Sequence, residues 1–164
     1  MTVAVVEGDA RDLAGLRDAF LALHAHQLVI SAVPVIADPE RAWAERLATY
    51  RRAFADGEPL LRIARDGERV VGYAMAFEHA GTDDTFALAP RYGELYTLIV
   101  VADRRGEGVG TLLCDAVDRA LAARGIDRLV IATMARNADA IRFYERRGLV
   151  VGEALLYRLP QAGG

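Results

Sequence analysis

Arg105-Gly106-Glu107-Gly108-Val109-Gly110 decides how this chain is read. An apolar extended segment, Leu95-Tyr96-Thr97-Leu98-Ile99-Val100-Val101, leads into it, and an amphipathic helix starting near Gly108 leads out. Strand, glycine loop and helix in that order form a device for holding phosphate. The backbone N–H groups of the loop point outward, and the helix start adds partial positive charge. Glycine is required because a side chain would keep the phosphate away from the backbone.

Two phosphate loops are poor fits. A Walker A loop needs Lys and then Ser or Thr after its last glycine, whereas Gly110 is followed by Thr111-Leu112. A dinucleotide fingerprint needs a third glycine where Thr111 stands. The pattern that survives is Arg-x-x-Gly-x-Gly, met by Arg105, Gly108 and Gly110. Here the chain resembles the GNAT superfamily of N-acetyltransferases. Val100-Val101-Ala102-Asp103-Arg104-Arg105-Gly106 is similar to the family's V-x-P-x-x-R-G, with Ala102 where a proline is common. Asn137-Ala138-Asp139-Ala140-Ile141-Arg142-Phe143-Tyr144-Glu145-Arg146-Arg147-Gly148-Leu149 resembles N-x-x-A-x-x-x-Y-x-x-x-G-F, with Leu149 for the usual Phe. The resemblance is strong over Glu94–Leu149 and architectural before it.

Composition adds bounds. The 164 residues are 53% hydrophobic and 26% charged, as expected for one domain spanning residues 1–164, within which the resemblance implies an acetyl-CoA-binding core at about 94–149. Net charge is −3 and no basic run suggests nucleic acid. The single cysteine, Cys114, precludes an internal disulfide and fits a cytoplasmic setting. Met1–Glu7 lacks the basic region of a signal peptide, and the apolar stretch Leu28–Ala37 is too short to span a bilayer, so no membrane is expected. His24, His26 and His79 read as surface histidines rather than metal ligands, and no metal is expected.

Hydrophobic spacing and turn residues give the elements. Strands are expected at Thr2–Val6, Leu60–Ala64, Val70–Glu78, Glu94–Val101, Leu129–Met134 and Val150–Leu159. Helices are expected from Asp9 to about His26, from Asp38-Pro39 to about Ala55, from Val109 to Gly125, and over Asn137–Arg147. Pro160–Gly164 reads as a frayed tail. The order β-α-α-β-β-β-α-β-α-β matches the α/β (α+β) GNAT fold, a mixed twisted sheet with helices on both faces.

The resemblance implies acetyl transfer from acetyl-CoA to a primary amine of a small molecule or peptide by direct attack. It places Arg105, Gly106, Glu107, Gly108, Val109, Gly110 and Thr111 at the pyrophosphate, with Arg104, Arg105 or Arg136 at the 3′-phosphate. It lays Leu98, Ile99 and Val100 along the pantetheine arm, where the strand Glu94–Val101 diverges from Leu129–Met134. The backbone N–H of Val100 becomes the oxyanion donor, worth on the order of 3 kcal/mol. Asn137, Ile141 and Tyr144 share a helix face, with Asn137 and Tyr144 about 10 Å apart. Asn137 is then expected on pantetheine and Tyr144 as general acid to the leaving sulfur. A lysine-like amine costs about 4.6 kcal/mol to deprotonate at pH 7, an α-amine about 1.4, so a base matters most for the former. Glu94 is the candidate base, ahead of Glu78, His79, Asp83 and Asp84.

The acceptor side is less defined. Gln27–Ala37 and Ala80–Tyr92 are expected to line it. The apolar part, residues 28–37, reads as a lid, a homodimer contact or plain core packing. The competing functional class is a non-catalytic acetyl-CoA-binding sensor or scaffold module.

Overall fold

The computed structural model describes residues 3–81 and 90–159. Asp83 and Asp84 therefore lie outside the described residues, as does the tail from Pro160. Five strands form one sheet in chain order: β1 (Ala4–Gly8), β2 (Leu60–Asp66), β3 (Arg69–Ala80), β4 (Arg91–Val100) and β5 (Leu129–Val130). The first three pairings are antiparallel and β4–β5 is parallel, so the sheet is mixed.

Helices α1 (Arg17–Ile30) and α2 (Pro39–Asp56) cover one face, where Leu16, Phe20, Trp43, Tyr50, Leu61, Ile63, Tyr73 and Met75 pack. Helix α3 (Val109–Ala123) covers the other face with Val71, Ala74, Leu95, Leu113 and Val117, and the short α4 (Ala138–Arg146) packs beside it. Alternation along β3 and β4 sends successive side chains to opposite layers. Asp38 caps α2 by accepting from Arg41 N at 2.9 Å, with Pro39 at the first helical position.

Some expectations need correction. The first helix begins only at Arg17, after a 3-10 turn over Leu13–Leu16, and runs on to Ile30. Gly15 sits in that turn, and Ser31 N, bonded to Gln27 O at 2.9 Å, closes the last helical turn. His24 is buried, not at the surface, with Nε2 2.7 Å from the carbonyl of Ile36, and so ties α1 to the connection before α2. β5 has two residues where six were expected. Val150–Leu159 forms no strand: residues 151–159 carry no regular structure, and Val150, Leu155 and Leu156 are 88%, 77% and 95% exposed. The apolar residues there sit side by side instead of alternating, so an extended chain has no single face to bury. The two-residue β5 also offers it no edge to pair with.

Gly72 shows how tightly β3 and β4 approach beneath α3. A Cβ there would lie 2.5 Å from the carbonyl oxygen of Ile99, a backbone atom that cannot swing aside. Gly72→Ala is expected to lower stability by about 1–3 kcal/mol, as overpacking does. A thermal melt within 1 °C of the unmodified chain would contradict that close approach.

Candidate functional site

β5 pairs with β4 only at Gly93–Leu129 and Glu94–Val130, and the two strands then part. On the other side, β4 stays paired with β3 through Val100. Val101 N donates to Val71 O at 3.0 Å. Antiparallel pairs alternate between hydrogen-bonded and non-bonded, so Ile99–Tyr73 is bonded while Val100–Gly72 and Leu98–Ala74 are not. The N–H groups of Leu98 and Val100 therefore point away from β3, into the gap that β5 leaves. The register slips by one residue between Met75 and Ala76, leaving Tyr96 as an extra residue in β4. This bulge sends Tyr96 and Thr97 to the same face, toward α2.

The gap opens toward the glycine loop. Gly106 and Gly108 have φ of +80° and +83°, a left-handed backbone suited to glycine, and both are exposed. Gly108 caps α3 without a side-chain acceptor. The first helical bond is Leu112 N to Gly108 O at 3.0 Å, so the N–H groups of Val109, Gly110 and Thr111 have no partner within the helix.

Two ion pairs of opposite sense hold the loop to the β2–β3 turn. Arg69 grips Asp103 at 2.8 and 3.0 Å, and Arg104 grips Asp66 at 2.8 Å. Arg104 Nε also lies 2.9 Å from Glu107. Arg105 Nε donates to Val100 O at 3.1 Å. Two of the three arginines proposed for the 3′-phosphate are thus engaged inside the protein. Arg136 is exposed and takes part in no ion pair among the described residues.

The second block meets the first through α4. A Cβ on Gly110 would touch Phe143 at 3.6 Å and Val100 at 3.7 Å, so the loop, the end of β4 and α4 converge. Arg147 fastens α4 to α3 through Asp115 at 2.8 Å and Asp118 at 2.7 Å. Asn137 stands just before the helix, its side chain accepting from Ala140 N at 3.3 Å as an N-cap. Its side-chain oxygen keeps one lone pair and its amide keeps both N–H groups for a ligand. Tyr144 packs beside Cys114. Burial, then the neighbouring thiol, pushes its hydroxyl well above the ordinary value of 10.0. Burial likewise pushes Cys114 up to about 11.

On the α2 face, the Glu94 carboxylate accepts from His79 Nε2 at 2.8 Å, and His79 stacks on Tyr92. Glu78, a weaker candidate base, is paired instead with Arg91 and Arg124. Sequence reasoning missed Arg46. It sits on α2 four residues before Tyr50 and three after Trp43, so its signal was a cation on the apolar stripe of an amphipathic helix. The 28–37 connection is not core: with Leu159 it lines an open cavity of about 450 Å³, and Val29 is 82% exposed.

The profile of the acetyltransferase (GNAT) family matches residues 26–149. The chain belongs to the GNAT acetyltransferase family. It is 29% identical over 126 residues to mycothiol acetyltransferase of Rhodococcus jostii (strain RHA1), covering 74% of this chain and 40% of that one. The chain thus spans about two fifths of the length of the curated relatives it matches. A GCN5-related N-acetyltransferase from Ralstonia eutropha JMP134 shares the fold with a TM-score of 0.76 at 15% identity, over 96% of this chain and 99% of that one. Aminoglycoside N-acetyltransferase AAC(6')-Iy, solved in complex with CoA, matches at a TM-score of 0.71 and 16% identity over 98% and 96%. The family's two sequence blocks are thus the two that converge at Gly110.

Cys114 offers a direct check on the packing around Tyr144. An ordinary thiol of pKa 9.0 is about one-tenth thiolate at pH 8, and one raised to about 11 is about one-thousandth thiolate. Burial disfavours the charged form, so reactivity is expected to rise only above about pH 10 or on unfolding. Rapid labelling of the native chain by a disulfide reagent at pH 8 would contradict this.

Proposed function

We propose that this chain is an N-acetyltransferase that moves the acetyl group of acetyl-CoA to a primary amine of a small molecule or peptide. The observation that carries the reading is the pair of N–H groups at Leu98 and Val100, open to the gap beside β4 and directly upstream of the glycine loop. An extended amide-bearing arm can pair with such a strand edge as a sheet neighbour would. The loop fits a diphosphate: a Cβ at Gly106 or Gly108 would meet nothing within 4 Å, so the outer face is clear, and the N–H groups of Val109, Gly110 and Thr111 lack helical acceptors. Arg136 is the arginine we assign to the 3′-phosphate: it is exposed with no ion pair among the described residues, whereas Arg104 is tied to Asp66 and Arg105 is anchored through Nε to Val100 O.

Acetyl-CoA supplies an activated thioester carbonyl, and the side chains divide the remaining work. The N–H of Val100 donates to the carbonyl oxygen as negative charge gathers there. Glu94, paired with His79, takes the proton that the attacking amine loses. Tyr144 holds the proton that the departing sulfur needs. Its raised pKa keeps it protonated throughout the physiological range, the form in which an acid must arrive. A sensor that only binds acetyl-CoA has no use for that group, which favours the enzyme over the binding module. On this reading the chain is one domain working in the cytoplasm, and a homodimer would use the exposed apolar side chains of Leu28, Val29 and Ile36.

Thiol release over a panel of amines tests the activity itself. Tyr144→Phe is expected to lower kcat about 100-fold while the acetyl-CoA KM stays within twofold. Since burial makes the phenol hold its proton to higher pH, loss of Tyr144's proton is expected to produce no fall in kcat below pH 10. Full turnover by Tyr144→Phe across pH 6–9 would remove the acid role. Gly108→Val, which strains a backbone at φ +83° and crowds the loop's outer face, is expected to weaken CoA binding at least tenfold by calorimetry. Unchanged affinity would move the diphosphate elsewhere.

A further inference from the structure

Arg46 is a half-buried cation with no carboxylate in an ion pair with it among the described residues. Its guanidinium lies over three rings, at 4.8 Å from the centre of Tyr96, 5.4 Å from Phe20 and 5.9 Å from Tyr50. One nitrogen donates to Thr97 Oγ1 at 2.7 Å, and Tyr50 donates to the same oxygen at 2.7 Å. Among the described residues, the bond to Thr97 is the one hydrogen bond of this guanidinium that meets distance and angle limits, and none of its nitrogens is both buried and unpartnered. A guanidinium presents five N–H donors in a planar fork that matches an oxyanion, and most of this fork has no partner among the described residues.

Its place in the fold gives the cation a purpose. Thr97 is three residues from Glu94 and three from Val100, so the guanidinium stands midway, about 10 Å along the strand from either. The bulge at Tyr96 turns that ring onto the α2 face, where it packs on Phe77 at 4.8 Å between ring centres. Phe77 is the register partner of Glu94, and His79 follows two residues on, on the same face of β3. A floor of aromatic rings therefore runs from an under-used cation at one end to the Glu94–His79 pair at the other. A polycationic amine would be repelled at the Arg46 end, whereas an amine that also carries an oxyanion is complementary at both.

Resting on the acetyl-transfer reading above, we propose that Arg46 is a specificity-determining residue that selects acceptor amines bearing an anionic group, a carboxylate or a phosphate. The amine lies toward Glu94 and the anion pairs with the guanidinium. The aromatic floor accommodates the body between them.

The test compares matched amines differing in one charge: leucine with leucinamide, phenylalanine with phenylalaninamide, and O-phosphoethanolamine with ethanolamine. Each kcat/KM is corrected for the free-amine fraction, and the unmodified chain is set beside Arg46→Gln and Arg46→Lys. Because amine basicity is common to all three proteins, the change in the anion-to-neutral ratio isolates the guanidinium. The expected ratio is tenfold or more in the unmodified chain, near one in Arg46→Gln, and intermediate in Arg46→Lys. The first two pairs against the third tell carboxylate from phosphate. Should Arg46→Gln fail to fold in a thermal melt, the unmodified chain and Arg46→Lys still decide. A ratio near one in the unmodified chain, or one that Arg46→Gln leaves unchanged, overturns the inference while acetyl transfer stands. Absence of thiol release with both anionic and neutral amines, in a chain that is folded, overturns the acetyl-transfer reading and this inference with it.

Discussion

The parting of β5 from β4 after Glu94 is the constraint on which everything else hangs. A strand interior to a sheet has both edges satisfied, and unpaired backbone donors are rarely tolerated without a partner or water. β4 remains paired with β3 through Val100 yet loses its other neighbour six residues earlier. That leaves Leu98 and Val100 with donors aimed at open space, immediately before a loop whose glycines and uncapped helix start add more donors. A row of backbone N–H groups along one line is a template for a ligand that is itself an extended chain of acceptors ending in phosphate.

The surroundings fix that line from both sides. Asp66–Arg104 and Arg69–Asp103 hold the loop to the β2–β3 turn, and Arg147 fastens α4 to α3 through Asp115 and Asp118. The exposed Arg69–Asp103 pair contributes little to global stability, whereas Arg104–Asp66 is largely buried and its worth is offset by the cost of desolvating both charges. Their value lies in geometry, since each restrains one of the two segments that meet at Gly110. Cys114 and Tyr144 fill the space between α3 and α4, and burial keeps both protonated.

Much of this was legible in the sequence because it follows from local rules. The loop's glycines require a left-handed backbone, Asp38-Pro39 starts a helix, and the stripe from Val109 to Leu121 has the spacing of a helix packed on a sheet. The misreadings have a common cause: period and propensity report conformation and not pairing. Val150–Leu159 has the β-branched and aromatic composition of a strand but no partner. His24 lies on a helix whose stripe is irregular, and only the chain's return past Ile36 explains its burial. Arg46 needed the third dimension, because its ring neighbours Phe20, Tyr50 and Tyr96 come from three separate elements. Asn137, expected on pantetheine, also caps α4 through its side-chain oxygen.

Amide hydrogen exchange, resolved by residue and followed with and without CoA, reaches the central claim most directly. If the gap and the loop hold the carrier, exchange at Leu98, Val100, Val109, Gly110 and Thr111 slows together on adding CoA, while Ile99, already bonded to β3, changes little. Saturating CoA that leaves those five amides exchanging as before, or that protects a different surface, would contradict the account.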